Sequence, residues 1–258
     1  EGLQVIFATW CFTFQIFCDF AGYSIIAIGA AKVMGYDLME NFRRPYFATS
    51  IRDFWQRWHI SLSTWFRDYV YIPLGGNRVV KWRWYYNLMV TFVVSGIWHG
   101  ANWTFVVWGF LHGFYLVFAI ISAPYRDKIN AAIGLTQMPK LHKGLQIAVT
   151  FILASFAWVF FRANSLTDAF ILIQNMFYID ASQFTWNLIP NVAPYEIVLL
   201  FIFVGLLEII HSLEENGQFA NPLYANNTAV RWVSYIAIII IILGFGVFTS
   251  SDFIYFQF

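Results

Sequence analysis

Charge is scarce in this sequence. Only 11% of its 258 residues are charged, while 60% are hydrophobic and 21% aromatic; soluble domains carry roughly 25% charged residues. A soluble fold of this size would have to bury nearly every surface it owns, and the bilayer is the solvent that fits such a composition. A net charge of +1 supplies no global field for nucleic acid. Cysteine is nearly absent. Cys11 and Cys18 lie seven apart on an apolar stretch, on a similar helix face and without CxxC spacing. Neither a disulfide nor a metal site follows, and both read as small buried apolar side chains. There is no HxxxH or HExxH pair and no acidic cluster near His99, so no metal site is expected. A G-x-S-x-G elbow and a phosphate-cradling loop are also missing, and Gly75-Gly76 reads as a turn. No basic n-region or cleavage site precedes the first apolar run. The first residue is Glu1, so the start is expected to be a cut inside a longer chain, whereas the ending Asp252–Phe258 has the look of a natural terminus. No internal repeat or low-complexity tract is detectable.

What is plentiful is apolar length. A spanning helix needs roughly 20 apolar residues, and four runs meet or approach that: Ala101–Ser122, Leu145–Phe161, Tyr195–His211 and Ala229–Phe248. The isoleucines of Ile236–Leu243 suit a helix facing lipid. The stretch Leu3–Val33 is also apolar but carries Asp19 and the glycines Gly22 and Gly29, so it reads as one long helix or two shorter ones. Trp84–Trp98 is too short to span unless tilted, and Phe170–Phe177 reads as an interfacial helix.

One segment breaks the pattern. Residues 43–83 hold Arg43, Arg44, Arg52, Arg57, Arg67, Arg78, Lys81 and Arg83 against two acids, Asp53 and Asp68, while the rest of the chain is net acidic. The positive-inside rule puts this segment on, or dipping from, the cytoplasmic face. Pro45 keeps the residue before it extended. Ser50 followed by Asp53 reads as a capping-box-like helix start. The pattern predicts a helix over Ile51–Arg67, with Asp53 and Arg57 at ion-pair spacing and His59, Ser63 and Arg67 along one face. Phe54, Trp55, Trp58, Trp65 and Phe66 add aromatic faces, and 73–77 reads as a turn. Such a helix is too polar to span lipid but fits an interface or a cavity wall.

Ionisable residues within membrane segments are functional candidates. His99 stands out in Ser95-Gly-Ile-Trp-His-Gly100, where Gly96 and Gly100 permit close approach and Trp98 offers a flat wall. A neutral imidazole there can take a proton from a hydroxyl and make it nucleophilic; the competing reading is a structural histidine hydrogen-bonded between helices. His59, on the cationic helix, either orients an acyl donor or is a solvated interfacial histidine. His112, in mid-helix, reads as a packing hydrogen-bond group, and His142 and His211 as solvated. Arg52, Arg57 and Arg67 suit anionic groups such as the phosphates of a nucleotide-linked thioester, or anionic lipid heads.

The run from Ser50 to Arg78, SIRDFWQRWHISLSTWFRDYVYIPLGGNR, resembles the signature of the membrane-bound O-acyltransferase family, and Ser95–Trp103, SGIWHGANW, resembles its second signature. Asp19–Ser24, Glu40–Phe42 and the ending Phe253–Phe258 are similar to upstream and terminal elements of the alginate O-acetylation branch. The resemblance implies an all-α polytopic membrane protein, a bundle of transmembrane and re-entrant helices around a central tunnel. Residues 1–258 would form a single membrane domain, the C-terminal catalytic half of a longer chain. It implies His99 as catalytic base and His59 as the second active-site histidine, with Arg52, Arg57, Trp58, Ser63, Arg67, Asn77 and Trp98 as candidate substrate contacts. It further implies no bound cofactor, acetyl-CoA or another acyl thioester as donor, and a place in the bacterial cytoplasmic membrane. The expected partners are an extracytoplasmic SGNH-type acetyltransferase or a polysaccharide acceptor. D-alanyl transfer to teichoic acid, and a membrane transporter or flippase, are the alternatives.

Overall fold

Apolar runs without a ladder partner must satisfy their own backbone groups in lipid, and helices do so. The computed structural model describes residues 2–178, 192–217 and 227–246, and every regular element among them is helical. Residues Asp252–Phe258, read above as a terminus and a family-like ending, lie outside the described residues. The described helices fall into two units.

The first unit begins with α1 (Gly2–Val33), a single helix through Gly22 and Gly29. Its 32 residues extend about 48 Å at roughly 1.5 Å per residue, ample for a hydrocarbon core of about 30 Å. It ends on Gly35, whose φ of 86° admits the left-handed turn that lets the Tyr36 N–H reach the Ala31 carbonyl at 2.9 Å. A 3-10 turn (Pro45–Phe47) follows, tied back by the Tyr46 hydroxyl donating to the Thr13 carbonyl at 2.6 Å. Then come α2 (Ile51–Arg57), α3 (Ile60–Phe66), a π-turn (Arg67–Tyr71), α4 (Lys81–His99), α5 (Trp103–Ala132), α6 (Pro139–Arg162) and α7 (Leu166–Met176). In the second unit are α8 (Pro194–Glu215) and α9 (Thr228–Phe245), where Phe203 meets Phe245 edge-on and the isoleucines of α9 are exposed, as a lipid-facing surface requires. Helices α1, α5, α6, α8 and α9 are long and apolar enough to cross a bilayer; α4, at 19 residues, is long enough but too polar to be among them.

The expected continuous helix Ile51–Arg67 is broken. Trp58 is extended (φ −105°, ψ 128°) and His59 is left-handed (φ 45°, ψ 54°). The cause is a tertiary partner that helical periodicity does not register. Residues 41–43 lie against the break, so that the Arg43 N–H donates to the Arg57 carbonyl at 2.9 Å and the Ile60 N–H to the Asn41 carbonyl at 3.0 Å. The Asn41 side chain accepts from the Ser61 N–H at 3.2 Å. These bonds satisfy helix ends that would otherwise be orphaned, against a left-handed cost of roughly 1–2 kcal/mol at His59. His59, Ser63 and Arg67 therefore share no single helical face. The expected start does form: the Ser50 hydroxyl accepts from the Asp53 N–H at 3.1 Å, and Arg57 pairs with Asp53 at 2.7 Å. So does the turn after Ile72, which Asn87 clamps by donating to the Leu74 and Gly76 carbonyls at 3.1 and 2.9 Å.

Helices α4 and α5 run antiparallel with their backbones in contact. A side chain at Gly96 would strike the Phe105 carbonyl, and one at Gly109 the Phe92 carbonyl. Helix α6 returns antiparallel to α5, Phe105 meeting Phe161 and Trp108 meeting Trp158. The α4 C-terminus, the α5 N-terminus and the α6 C-terminus thus share one end of the unit. The opposite end gathers Lys81, Arg83, Arg126, Lys128, Lys140 and Lys143.

Candidate active site

His99 is the last residue of α4, and the site forms where that helix stops. Gly100 follows, with the Phe105 ring so close that a Cβ on Gly100 would lie 2.6 Å from it. Phe105 thereby caps the helix end and turns the chain into α5, whose first turn is held by Asn102 accepting from the Thr104 N–H at 3.1 Å. The half-buried His99 imidazole stands in an aromatic box. Trp98, Trp108 and Phe161 meet it edge-on with ring centroids at 5.1, 5.0 and 5.1 Å, and Phe105 lies at 6.4 Å.

His59 reaches the same locus from the break between α2 and α3. Phe20 of α1 packs edge-on against its ring at 4.6 Å and Phe42 stacks at 6.5 Å. Its Nδ1 lies 3.2 Å from Asn41 Oδ1. That oxygen also accepts from the Ser61 N–H and hydroxyl, while the Asn41 amide donates to Ser24 Oγ at 3.2 Å. The amide orientation is therefore fixed from both ends. His59 Nδ1 must be the protonated nitrogen, which leaves Nε2 as the one with a lone pair. Burial pushes the His59 pKa down to about 3, and the neighbouring His99 adds a Coulombic push in the same direction. His59 is thus a neutral imidazole near a second imidazole.

Beside the histidines lies a cavity of about 710 Å³, bounded by α2, α3, the 72–77 turn, α4 and α5. Arg52, Ser63, Arg67 and Asn77, four of the expected substrate contacts, line it. Its α4 wall is Trp84, Leu88, Thr91, Phe92 and Ser95. At helical spacing these side chains form one face, and the next position on that face is His99. Phe66 at the cavity wall packs edge-on against Trp98 at 6.4 Å, and Trp98, another expected contact, is itself outside the lining. Arg67 holds Asp68 through two bonds, at 2.7 and 3.1 Å.

Two expected contacts sit elsewhere. Arg57 is turned to Asp53 and to the Arg43 carbonyl. Trp58 is 1% exposed, packed among Phe42, Phe54 and Trp158. Both brace the basic segment. Asn41, Trp108 and Phe161 escaped the sequence reading as site residues; Asn41 carried a signal, a polar residue within the upstream Glu40–Phe42 match.

Residues 2–167 match the sequence model of MBOAT, the membrane-bound O-acyltransferase family, and all these site residues fall within the match. The chain belongs to the membrane-bound O-acyltransferase family. It is 44% identical over 177 residues to the probable alginate O-acetylase AlgI of Pseudomonas aeruginosa, covering 69% of this chain and 31% of that protein. The Pseudomonas putida protein of the same name is 36% identical over 263 residues, 96% of this chain and 52% of the relative. The peptidoglycan O-acetyltransferase of Helicobacter pylori is 35% identical over 273 residues, 99% of this chain and 50% of the relative. The matched part of the chain thus spans from about a third to about half of the length of these relatives. Family and helices together make it part of a multi-pass membrane protein, in the alginate O-acetylation branch of this family.

Proposed function

We propose that this chain carries the acyl-transfer centre of a membrane-bound O-acyltransferase that moves an acetyl group from a cytoplasmic thioester toward hydroxyls of an extracytoplasmic polysaccharide. The observation that carries the proposal is the nearness of two imidazoles, His59 and His99, beside a cavity that Arg52 and Arg67 help to line. Those guanidinium groups suit the phosphates of acetyl-CoA. The apolar wall along α4 suits the uncharged arm that leads to the thioester.

The distribution of charge supports an assignment of the two sides of the reaction. The end of the unit with Lys81, Arg83, Arg126, Lys128, Lys140 and Lys143 is the cytoplasmic one by the positive-inside rule. His99 is at the opposite end of α4, roughly 22 Å along the helix from Trp84. The donor enters from the cytoplasm, and the acceptor meets it from the other side, directly or through a surface SGNH-type transferase. His99 takes the proton of the attacking hydroxyl as its oxygen bonds to the thioester carbonyl carbon. The carbon–sulfur bond then breaks, and the proton passes from the imidazolium to the departing thiolate. His59 orients the reacting groups through Nε2, its Nδ1 being committed to Asn41.

The test uses the full-length protein in nanodiscs with radiolabelled acetyl-CoA, scoring label on the polysaccharide or surface partner beside His99→Ala and His59→Ala. Loss of transfer in folded His99→Ala supports the reading. Full transfer by that variant removes His99 as base. Transfer only from a carrier-protein D-alanyl thioester moves the protein to the teichoic-acid reaction, and substrate movement without turnover makes it a transporter.

A further inference from the structure

Helix α2 has seven residues, too few to hold its shape alone, yet Arg52, Trp55 and Gln56 of α2 form one wall of the cavity. Something must hold that wall in place. Its internal tie is the Asp53–Arg57 pair. Trp55 packs edge-on against Phe92 and Trp108 at 5.1 and 5.7 Å, and its hydrogen bond to a spanning helix goes to a histidine: the Trp55 indole N–H donates to His112 Nδ1 at 3.2 Å, across 57 residues of sequence. His112 is fully buried in mid-α5. Its ring lies parallel to Phe54 (5° between planes, centroids 6.1 Å) and perpendicular to Trp55 at 5.0 Å, so it grips two successive α2 side chains. An indole N–H can only donate, so Nδ1 is unprotonated and the ring is neutral, with its proton on Nε2.

We infer that His112 is a positioning residue: through the Trp55 hydrogen bond it latches α2 onto α5 and holds the Arg52 wall of the cavity in place for the donor. This rests on the donor assignment above. His112 touches no reacting group in this scheme, and its effect falls on donor binding. A core histidine present only for packing would be replaced best by a residue of similar volume. A latch is replaced best by a residue that keeps an acceptor at the Nδ1 position. Phenylalanine and asparagine separate the two, since Phe keeps ring volume and the Phe54 stack without an acceptor, and Asn keeps an acceptor with less volume.

The experiment compares full-length wild type, His112→Phe, His112→Asn, Trp55→Phe and the His112→Phe/Trp55→Phe double variant in nanodiscs, each checked as monodisperse. One net hydrogen bond corresponds to roughly fivefold in an equilibrium constant. The KM for acetyl-CoA should rise about fivefold in His112→Phe, with kcat within about twofold. The double variant should show no further rise, and His112→Asn should recover most of the loss. Hydrogen exchange over 51–57 should quicken in His112→Phe and Trp55→Phe but not in His112→Asn. The latch is overturned if His112→Asn is as impaired as His112→Phe, if the two single effects multiply in the double variant, or if kcat falls at constant KM. Should the wild type not use acetyl-CoA, the donor assignment fails, and the exchange pattern alone then upholds or overturns the latch.

Discussion

Replacing Asn41 by Asp changes one atom pair and tests whether His59 works as a neutral group. In the wild type Asn41 Oδ1 lies 3.2 Å from His59 Nδ1, and the imidazole is held neutral by burial and by His99. A carboxylate at that position would favour the imidazolium. At an effective dielectric of about 20, unit charges roughly 4 Å apart attract by ~4 kcal/mol. At about 1.4 kcal/mol per tenfold in proton affinity this is roughly a thousandfold, enough to bring His59 back to the ordinary imidazole range. The wild-type rate of transfer should therefore show no acid limb from His59 above about pH 5. Asn41→Asp should acquire one between about pH 5 and 7. Asn41→Ala, which removes the orienting acceptor without adding charge, should lower the rate with no new limb. The assay is label transfer from acetyl-CoA across pH 5 to 9, with folding monitored at each pH. An Asn41→Asp profile superimposable on wild type would refute the argument, because a charge at 3.2 Å from a neutral imidazole that takes part in transfer cannot be silent.

Gly96→Ala should destabilise the α4–α5 pair by roughly 1–3 kcal/mol, because the added methyl meets the Phe105 backbone carbonyl rather than a movable side chain; thermal unfolding in detergent measures it. Arg52→Ala should raise the donor KM severalfold with little change in melting temperature, whereas Arg57→Ala should lower the melting temperature and leave KM nearly unchanged, since Arg52 lines the cavity and Arg57 is bound to Asp53. Acid should destabilise the fold in two stages. The unfolded chain protonates its His59 near the ordinary value of 6.5 while the folded one resists to about 3, so stability is complete above that ordinary value and falls as pH drops toward 3. Burial works against the Asp53 carboxylate, but the bonds from Arg57 and Thr49 hold its pKa below the usual 3.8, so its contribution persists until the pH falls through that value and is then lost. Denaturant midpoints between pH 4 and 8 report the first stage.

The spanning helices were legible because in lipid the backbone leaves one solution for a long apolar run. Leu145–Phe161 and Tyr195–His211 needed only counting to become parts of α6 and α8. Ser50 and Asp53 marked a helix start because a cap is a local device. The cavity lining was partly legible: Arg52, Ser63, Arg67 and Asn77 came from one motif whose turn and short helices fold around a common space. Arg57 and Trp58 came from the same motif but do not line this cavity, since spacing does not reveal whether a side chain faces a cavity or a neighbour. The Asp53 pairing already predicted for Arg57 was the better guide to its place.

The break at His59 lay beyond any periodicity argument, and it is the feature that brings His59 to the candidate site. Every residue from Ile51 to Arg67 is compatible with a helix, and a straight one would align His59 with Ser63 and Arg67. The chain forgoes that alignment because Asn41 and Arg43, bonded to Ile60 and Arg57, satisfy both exposed helix ends at once. The left-handed residue at the break is a histidine, not the glycine that the conformation favours, so the backbone accepts a cost of roughly 1–2 kcal/mol there. A structural turn would avoid that cost with glycine or asparagine. Tolerating it for an imidazole makes sense if the side chain is needed where the turn aims it, against Phe20 and toward His99. His59→Gly should then stabilise the segment while abolishing its part in transfer. A glycine variant both less stable and fully active would show instead that the imidazole serves the fold through Asn41.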